Sequence, residues 1–187
     1  MKIGLISDTH LPAMGLEPPA QVADVFEGVD LILHAGDIYS SACLDWLERI
    51  APVIAVEVPP APVIGDERVV GGHVGRVTTV EGHAIGLVHD LAIKGINEVI
   101  PGVIAEKFPP ERSLAGAVED FFGEPVEAVV FGHTHFPMVE TNRGILFVNP
   151  GSPTLPKMVR KLGTVGIMEL TADGPTARIV DLAAIAV

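Results

Sequence analysis

Cysteine, aromatic residues and positive charge are all scarce in this chain, and each shortage closes off a class of answer. Cys43 is the one cysteine in 187 residues, so no intramolecular disulfide can form. It falls in a predicted helix with no basic residue near it in sequence, and so reads as a small core residue rather than a nucleophile. Aromatics make up 5% of the chain, which favours a β-branched sheet core packed by helices over an aromatic-rich binding face. Lys and Arg number 12 against 24 Asp and Glu, a net charge of −12, and no basic cluster exceeds Arg160-Lys161. A nucleic-acid surface is therefore not expected. Any anion that binds needs a local cation to receive it.

Long hydrophobic runs are missing too. None approaches the ~20 residues that cross a bilayer, and the apolar stretch Lys2–Ile6 is too short for a signal peptide and runs into Asp8. The expectation is a cytoplasmic protein without a membrane partner; self-association stays open. What the chain does have is 48% hydrophobic residues. Its length suits one domain, residues 1–187, burying roughly 70% of its unfolded surface.

Taken in order, Lys2–Ile6 reads as a strand, followed by a loop over Leu11–Pro19 and a short amphipathic helix over Ala20–Glu27. Asp30–Ala35 is a second strand. Ser40-Ser41 is placed to cap a helix over Ala42–Ile50, and Val53–Val56 is a third strand. This alternation predicts parallel strands with right-handed crossovers. Glu57–Gly72, rich in Pro and Gly, reads as a long functional loop.

His73–Val80 and His83–Val88 form a predicted hairpin, Ile96–Phe108 and Arg112–Phe122 carry helical periodicity, and Val126–Phe131 is a buried strand. Met138–Thr141 and Ile145–Val148 flank a three-residue connection, Asn142-Arg143-Gly144. Val165–Leu170 and Ala177–Leu182 make the last hairpin, turning at Asp173-Gly174-Pro175. The architecture expected is α/β: a four-layer α/β/β/α sandwich of two mixed sheets flanked by helices.

Four predicted strands stop at residues that bind metals: Asp8 and His10, Asp37, His89, then His133 and His135. Parallel strands bring their carboxyl ends to one sheet edge, where distant residues converge. Mixed carboxylate and imidazole donors suit manganese, iron or zinc and disfavour calcium.

Asp8-Thr9-His10, Gly36-Asp37, His89 and Gly132-His133-Thr134-His135 resemble, in order, the motifs of the calcineurin-like metallophosphoesterases. Gly144–Ser152 resembles the small bacterial and archaeal phosphodiesterase branch of that superfamily. The resemblance spans nearly the whole chain. It implies the same four-layer sandwich and two divalent metal ions, with manganese the first choice and iron, zinc or nickel also suited. Asp8, His10 and His135 would hold one ion, His89 and His133 the other, and Asp37 would bridge them. Two such ions would activate a water for attack on a small phosphate ester. The sequence departs from the family after the third strand. Pro59 stands where relatives carry an asparagine ligand, and the histidine some relatives use to protonate the leaving group is missing.

Glu57 or Asp66 could supply a replacement oxygen, although both read as solvated loop carboxylates. His34 reads as a buried supporting residue, and His73 and His83 as surface residues. Asp90 either orients His89 or is an exposed loop acid. Asn149 and Ser152 either position a loop or contact phosphate. Two functions follow: a metal-dependent phosphodiesterase, its second metal short of one side-chain ligand, or a weakened scaffold of the same fold that binds a protein. The family has a precedent for the second in a retromer subunit.

Overall fold

The computed structural model describes residues 1–71, 75–96 and 102–185. Strand β1 (Lys2–Ile6) is followed by α1 (Ala20–Phe26), β2 (Leu31–His34), α2 (Ser41–Glu48), β3 (Val53–Glu57) and β4 (Val69–Gly71). The second half holds β5 (Arg76–Val80), β6 (His83–Leu87), α3 (Val103–Lys107), α4 (Leu114–Phe122) and β7 (Ala128–Val130). It closes with β8 (Met138–Asn142), β9 (Ile145–Asn149), β10 (Thr164–Thr171) and β11 (Gly174–Asp181).

These strands form two mixed sheets, ordered β11-β10-β1-β2-β3-β4 and β5-β6-β7-β9-β8. Strands β1 to β4 run parallel in the first, and β6, β7 and β9 run parallel in the second. The short apolar strands are buried on both faces, which is why they read as continuous hydrophobic runs rather than alternating ones. Ile3, Leu5, Leu33, Leu87, Val130, Val148 and Met168 interdigitate between the sheets. Phe26, Leu44 and Leu47 of α1 and α2 cover the outer face of the first sheet, and Ile104, Leu114 and Val118 of α3 and α4 cover that of the second. Each such buried side chain contributes about 1.5–3 kcal/mol relative to exposure. The four-layer sandwich expected from the sequence is the one observed.

Ser40 caps α2 by accepting the Ala42 N–H, and Ser113 caps α4 by accepting that of Gly116. Four local readings change. The Glu57–Gly72 stretch is not all loop, because β-branched Val69 and Val70 pair with Ala55 and Val56 as an edge strand. The β8–β9 connection has two residues, not three: Asn142 pairs with Ile145, and Arg143 and Gly144 take φ 50 and 86, the left-handed pair that matches strand twist. In the last hairpin Gly174 and Pro175 belong to β11, an edge strand where proline is tolerated. The periodicity over Ile96–Phe108 yields a helix only at Val103–Lys107, with Ile96 in a turn and residues 97–101 outside those described.

Candidate metal centre

Strands β1, β2, β6 and β7 all release their ligand-type residues at one edge of the sandwich. Backbone bonds carry the pairing of each sheet past its strand ends there: Gly132 N–H donates to His89 O at 3.0 Å in the second sheet, and Asp8 N–H to Gly36 O at 2.9 Å in the first. Gly132 is required by space. A Cβ at this position would collide with Ser7 Oγ and stand 2.8 Å from Asp8 Oδ2. Five of the six candidate ligands, Asp8, His10, Asp37, His133 and His135, take φ between 51 and 68. Non-glycine residues adopt that region at a cost of order 1–3 kcal/mol, and such outliers cluster at functional sites.

One donor atom from each of Asp8, His10, Asp37 and His135 lies within 4.8 Å of the other three. His10 Nε2 stands 3.1 Å from His135 Nε2 and 3.4 Å from Asp37 Oδ2, and His135 Nε2 stands 3.4 Å from Asp8 Oδ1. The tautomers follow from the backbone. His135 Nδ1–H donates to Leu155 O at 2.7 Å, and His89 Nδ1–H donates to Ala35 O at 2.8 Å. Both therefore present an Nε2 lone pair inward. His89 Nε2 faces Asp37 Oδ2 at 3.6 Å, lone pair against carboxylate. The His133 ring stands edge-on to His89, with centroids 5.3 Å apart, and is exposed.

Asp8 is fully buried. Its Oδ1 accepts the His133 N–H at 3.0 Å, while Oδ2 has no hydrogen-bond partner among the described residues. Burial pushes its carboxyl up to about 7, against the pull of His89. Burial also lowers the pKa of His10, with Asp37 opposing and His135 and His89 adding to the shift. Converging lone pairs, a buried oxygen without a donor and a carboxyl that resists ionisation share one remedy, a cation placed among them. The residues present fit a divalent metal.

The supporting residues sort out differently from their sequence readings. His34 is fully buried; its Nδ1 accepts the Gly36 N–H at 3.2 Å and its Nε2–H donates to Thr9 Oγ1 at 3.2 Å. Burial drops its pKa to about 3. The ring thus ties the Asp8–His10 loop to the Asp37 loop, the supporting role expected. Glu57 is not solvated: it is 1% exposed and accepts the N–H groups of Asp37, Ile38 and Val58 at 3.2, 2.7 and 2.9 Å. Asp66 is not solvated either; it pairs with Arg68 at 2.7 Å, which holds its carboxyl well below the usual range. Neither carboxylate is free to replace the donor that the exposed Pro59 lacks.

Asn149 donates to Gly132 O at 2.8 Å and Thr134 Oγ1 at 3.1 Å, and Ser152 Oγ donates to Asp8 O at 2.7 Å. Both position loops. His89 is oriented by the Ala35 carbonyl, and Asp90 is half-buried beside it. His83 bridges to Glu127 at 2.9 Å instead of lying free on the surface, and His73 falls outside the described residues. Cys43 is buried as expected, its thiol pushed up to about 11 by burial. Two residues of the site escaped the sequence reading: Glu57, as the clamp of the Asp37 loop, and Tyr39, whose ring stands 5.3 Å from that of His10. Tyr39, the only tyrosine, two residues past Asp37, was the available signal.

Residues 1–173 match the model of the calcineurin-like phosphoesterase superfamily domain. The chain belongs to that superfamily. A probable metallophosphoesterase of Methanothermobacter thermautotrophicus is 33% identical over 93% of this chain and 87% of its own length. A probable metallophosphoesterase of Bacillus subtilis is 31% identical over 98% of this chain and 92% of its own. Among solved structures, wild-type Vps29 of Entamoeba histolytica complexed with zinc superposes with a TM-score of 0.62 at 18% identity, covering 97% of this chain and 99% of that one. A structure described as a novel archaeal phosphodiesterase gives 0.60 at 18%, covering 96% and 100%. These last two likenesses speak to the fold. The family match and the curated relatives support a metal-dependent phosphoesterase. No helix among the described residues is long and apolar enough to cross a membrane.

Proposed function

We propose that this metallophosphoesterase is a phosphodiesterase with two divalent metal ions, residues 1–187 acting as one domain in the cytoplasm on a small phosphate ester. Asp8, His10 and His135 hold one ion, His89 and His133 the other, and Asp37 lies between them. The observation that carries this reading is the convergence of Asp8, His10, Asp37 and His135 donor atoms within 4.8 Å, flanked by the His89 lone pair on Asp37. The family resemblance favours manganese, and the mixed carboxylate and imidazole donors are also compatible with iron, zinc and nickel. When bound, such a pair of cations lowers the pKa of a water and neutralises phosphoryl oxygens.

The protein's own part is positioning. Leu155 and Ala35 fix the rings of His135 and His89, Glu57 holds the loop that presents Asp37, and Asn149 pins the turn that carries His133. Hydrolysis of bis-p-nitrophenyl phosphate with added manganese tests the reading. Manganese-dependent turnover is expected, falling at least about a hundredfold in Asp37→Asn; turnover indifferent to manganese or to the substitution contradicts it.

A second reading has one observation in its favour. Among the described residues the second metal has His89, His133 and Asp37 to hold it, because Pro59 offers no donor and Glu57 and Asp66 are engaged elsewhere. A weakened scaffold that binds a protein would tolerate that loss. The same assay separates the two, since the scaffold gives no turnover at saturating manganese.

A further inference from the structure

The segment after the metal centre is basic in an otherwise acidic protein. Residues 141–168 contain no Asp or Glu, yet they hold Arg143, Lys157, Arg160 and Lys161, 4 of the chain's 12 basic residues. Residues 157–162 are all exposed, and Lys157, Arg160 and Lys161 make no ion pair among the described residues; Lys157 Nζ lies 5.6 Å from the centroid of the Phe136 ring. That loop is anchored to a candidate ligand. The Lys157 N–H donates to His135 O at 3.2 Å, while Leu155 O receives the His135 ring. Lys157 and Met158 take φ 52 and 61, a strained pair held beside the site.

A cleft of about 230 Å³ opens here, lined by Pro137, Pro156, Lys157, Val159, Lys161 and Leu162, with Asp181 at its far side. The Asp181 carboxylate is a negative charge in the lining, its Oδ1 accepting the Ala183 N–H at 2.9 Å, against the two lysines. Two lysines without an ion pair among the described residues, beside apolar walls, make a receptor for an anion, since low polarity strengthens the pairing.

We propose that this cleft receives a second phosphate of the substrate, so that the site is built for phosphodiesters that carry an additional phosphate beyond the scissile one. This rests on the phosphodiesterase reading and narrows it to a substrate class. Lys157 and Lys161 are its specificity-determining residues, and Val159 and Leu162 give the carbon skeleton an apolar wall. The net charge of −12 disfavours polyanions over the molecule as a whole, so a local basic cleft is needed to receive one.

The test compares thymidine 5′-p-nitrophenyl phosphate with the same ester phosphorylated on its 3′ oxygen, at saturating manganese. The extra phosphate lowers KM about tenfold, and the advantage disappears in Lys157→Ala/Lys161→Ala but persists in Arg49→Ala, a charge removed elsewhere. Calorimetric binding of thymidine 3′,5′-bisphosphate against the 5′-monophosphate, in chelator, reads the cleft without catalysis. Turnover with equal KM for both esters, or a preference that survives the double substitution, overturns the cleft and leaves the diesterase standing. Preferential bisphosphate binding with no turnover of either ester overturns the diesterase and leaves the anion cleft standing.

Discussion

Asp8 and His34 pull the stability of the metal-free protein in opposite directions with pH. The Asp8 carboxyl is raised from 3.8 to about 7, so the folded chain keeps a proton the unfolded chain releases, and stability falls as pH rises through that window. His34 is lowered from 6.5 to about 3. The unfolded ring takes a proton that the folded ring refuses, so its contribution is whole above 6.5 and is lost as pH falls toward 3. Between 3.8 and 6.5 the two slopes offset. Comparing the parent with His34→Gln by denaturant unfolding in chelator cancels the Asp8 part. Below pH 6.5 the parent loses about 1.4 kcal/mol per pH unit more than the variant; parallel profiles would show that His34 is not buried as a neutral ring.

The residue scale is also where sequence reading divides most sharply. Asp8, His10, Asp37, His89, His133 and His135 stood out because each follows an apolar run, and a strand's end is a one-dimensional signal. Glu57 followed such a run too, yet its carboxylate points across to the Asp37 and Ile38 amides. That role depends on β2 and β3 lying side by side, which no local pattern states. Asp66 pairs locally, with Arg68 two residues on, but that arginine is fixed in place by Asp45 and Glu48 of α2, which no local pattern states.

Among elements, the exits of β1 and β7 matter most, because the site requires them closer than any side chain allows. Gly132→Ala sets a methyl group against Ser7 Oγ and Asp8 Oδ2. Overpacking of this kind costs about 1–3 kcal/mol, and relief must come from moving either Asp8 or the His133–His135 turn. Thermal unfolding with and without manganese reads both effects. The variant is expected to melt lower and to gain less from manganese than the parent does. Equal manganese stabilisation in the two proteins would mean that the glycine serves only the backbone.

The parallel strands were legible as elements because their cores are β-branched and their ends are punctuated. The β8–β9 turn was misread by one residue because Asn142 looks like a turn residue; in the folded chain it is mostly buried and pairs with Ile145. Strand β4 hid behind the prolines that precede it. Both corrections lie at sheet margins, where tertiary pairing rather than local preference decides, and neither moves the metal edge.

At the scale of the whole molecule, two sheets converge on one edge, the first supplying Asp8, His10 and Asp37 and the second His89, His133 and His135. A net charge of −12 makes that edge attractive to divalent cations and hostile to phosphate until cations arrive. The two sets of ligands are unequal. Asp8, His10 and His135 are buried or half-buried and close-set with Asp37, whereas His133 is exposed and its site lacks the oxygen donor that Pro59 displaced. The two ions therefore differ in affinity, with catalysis following the weaker. Titrating chelator-treated protein with manganese while following both bound metal and bis-p-nitrophenyl phosphate turnover tests this most directly. The expected result is a tight ion that is abolished in His10→Ala, then a weaker one, lost in His133→Ala, whose filling brings the turnover. Turnover complete at one ion per chain, or no manganese bound at all, would contradict it.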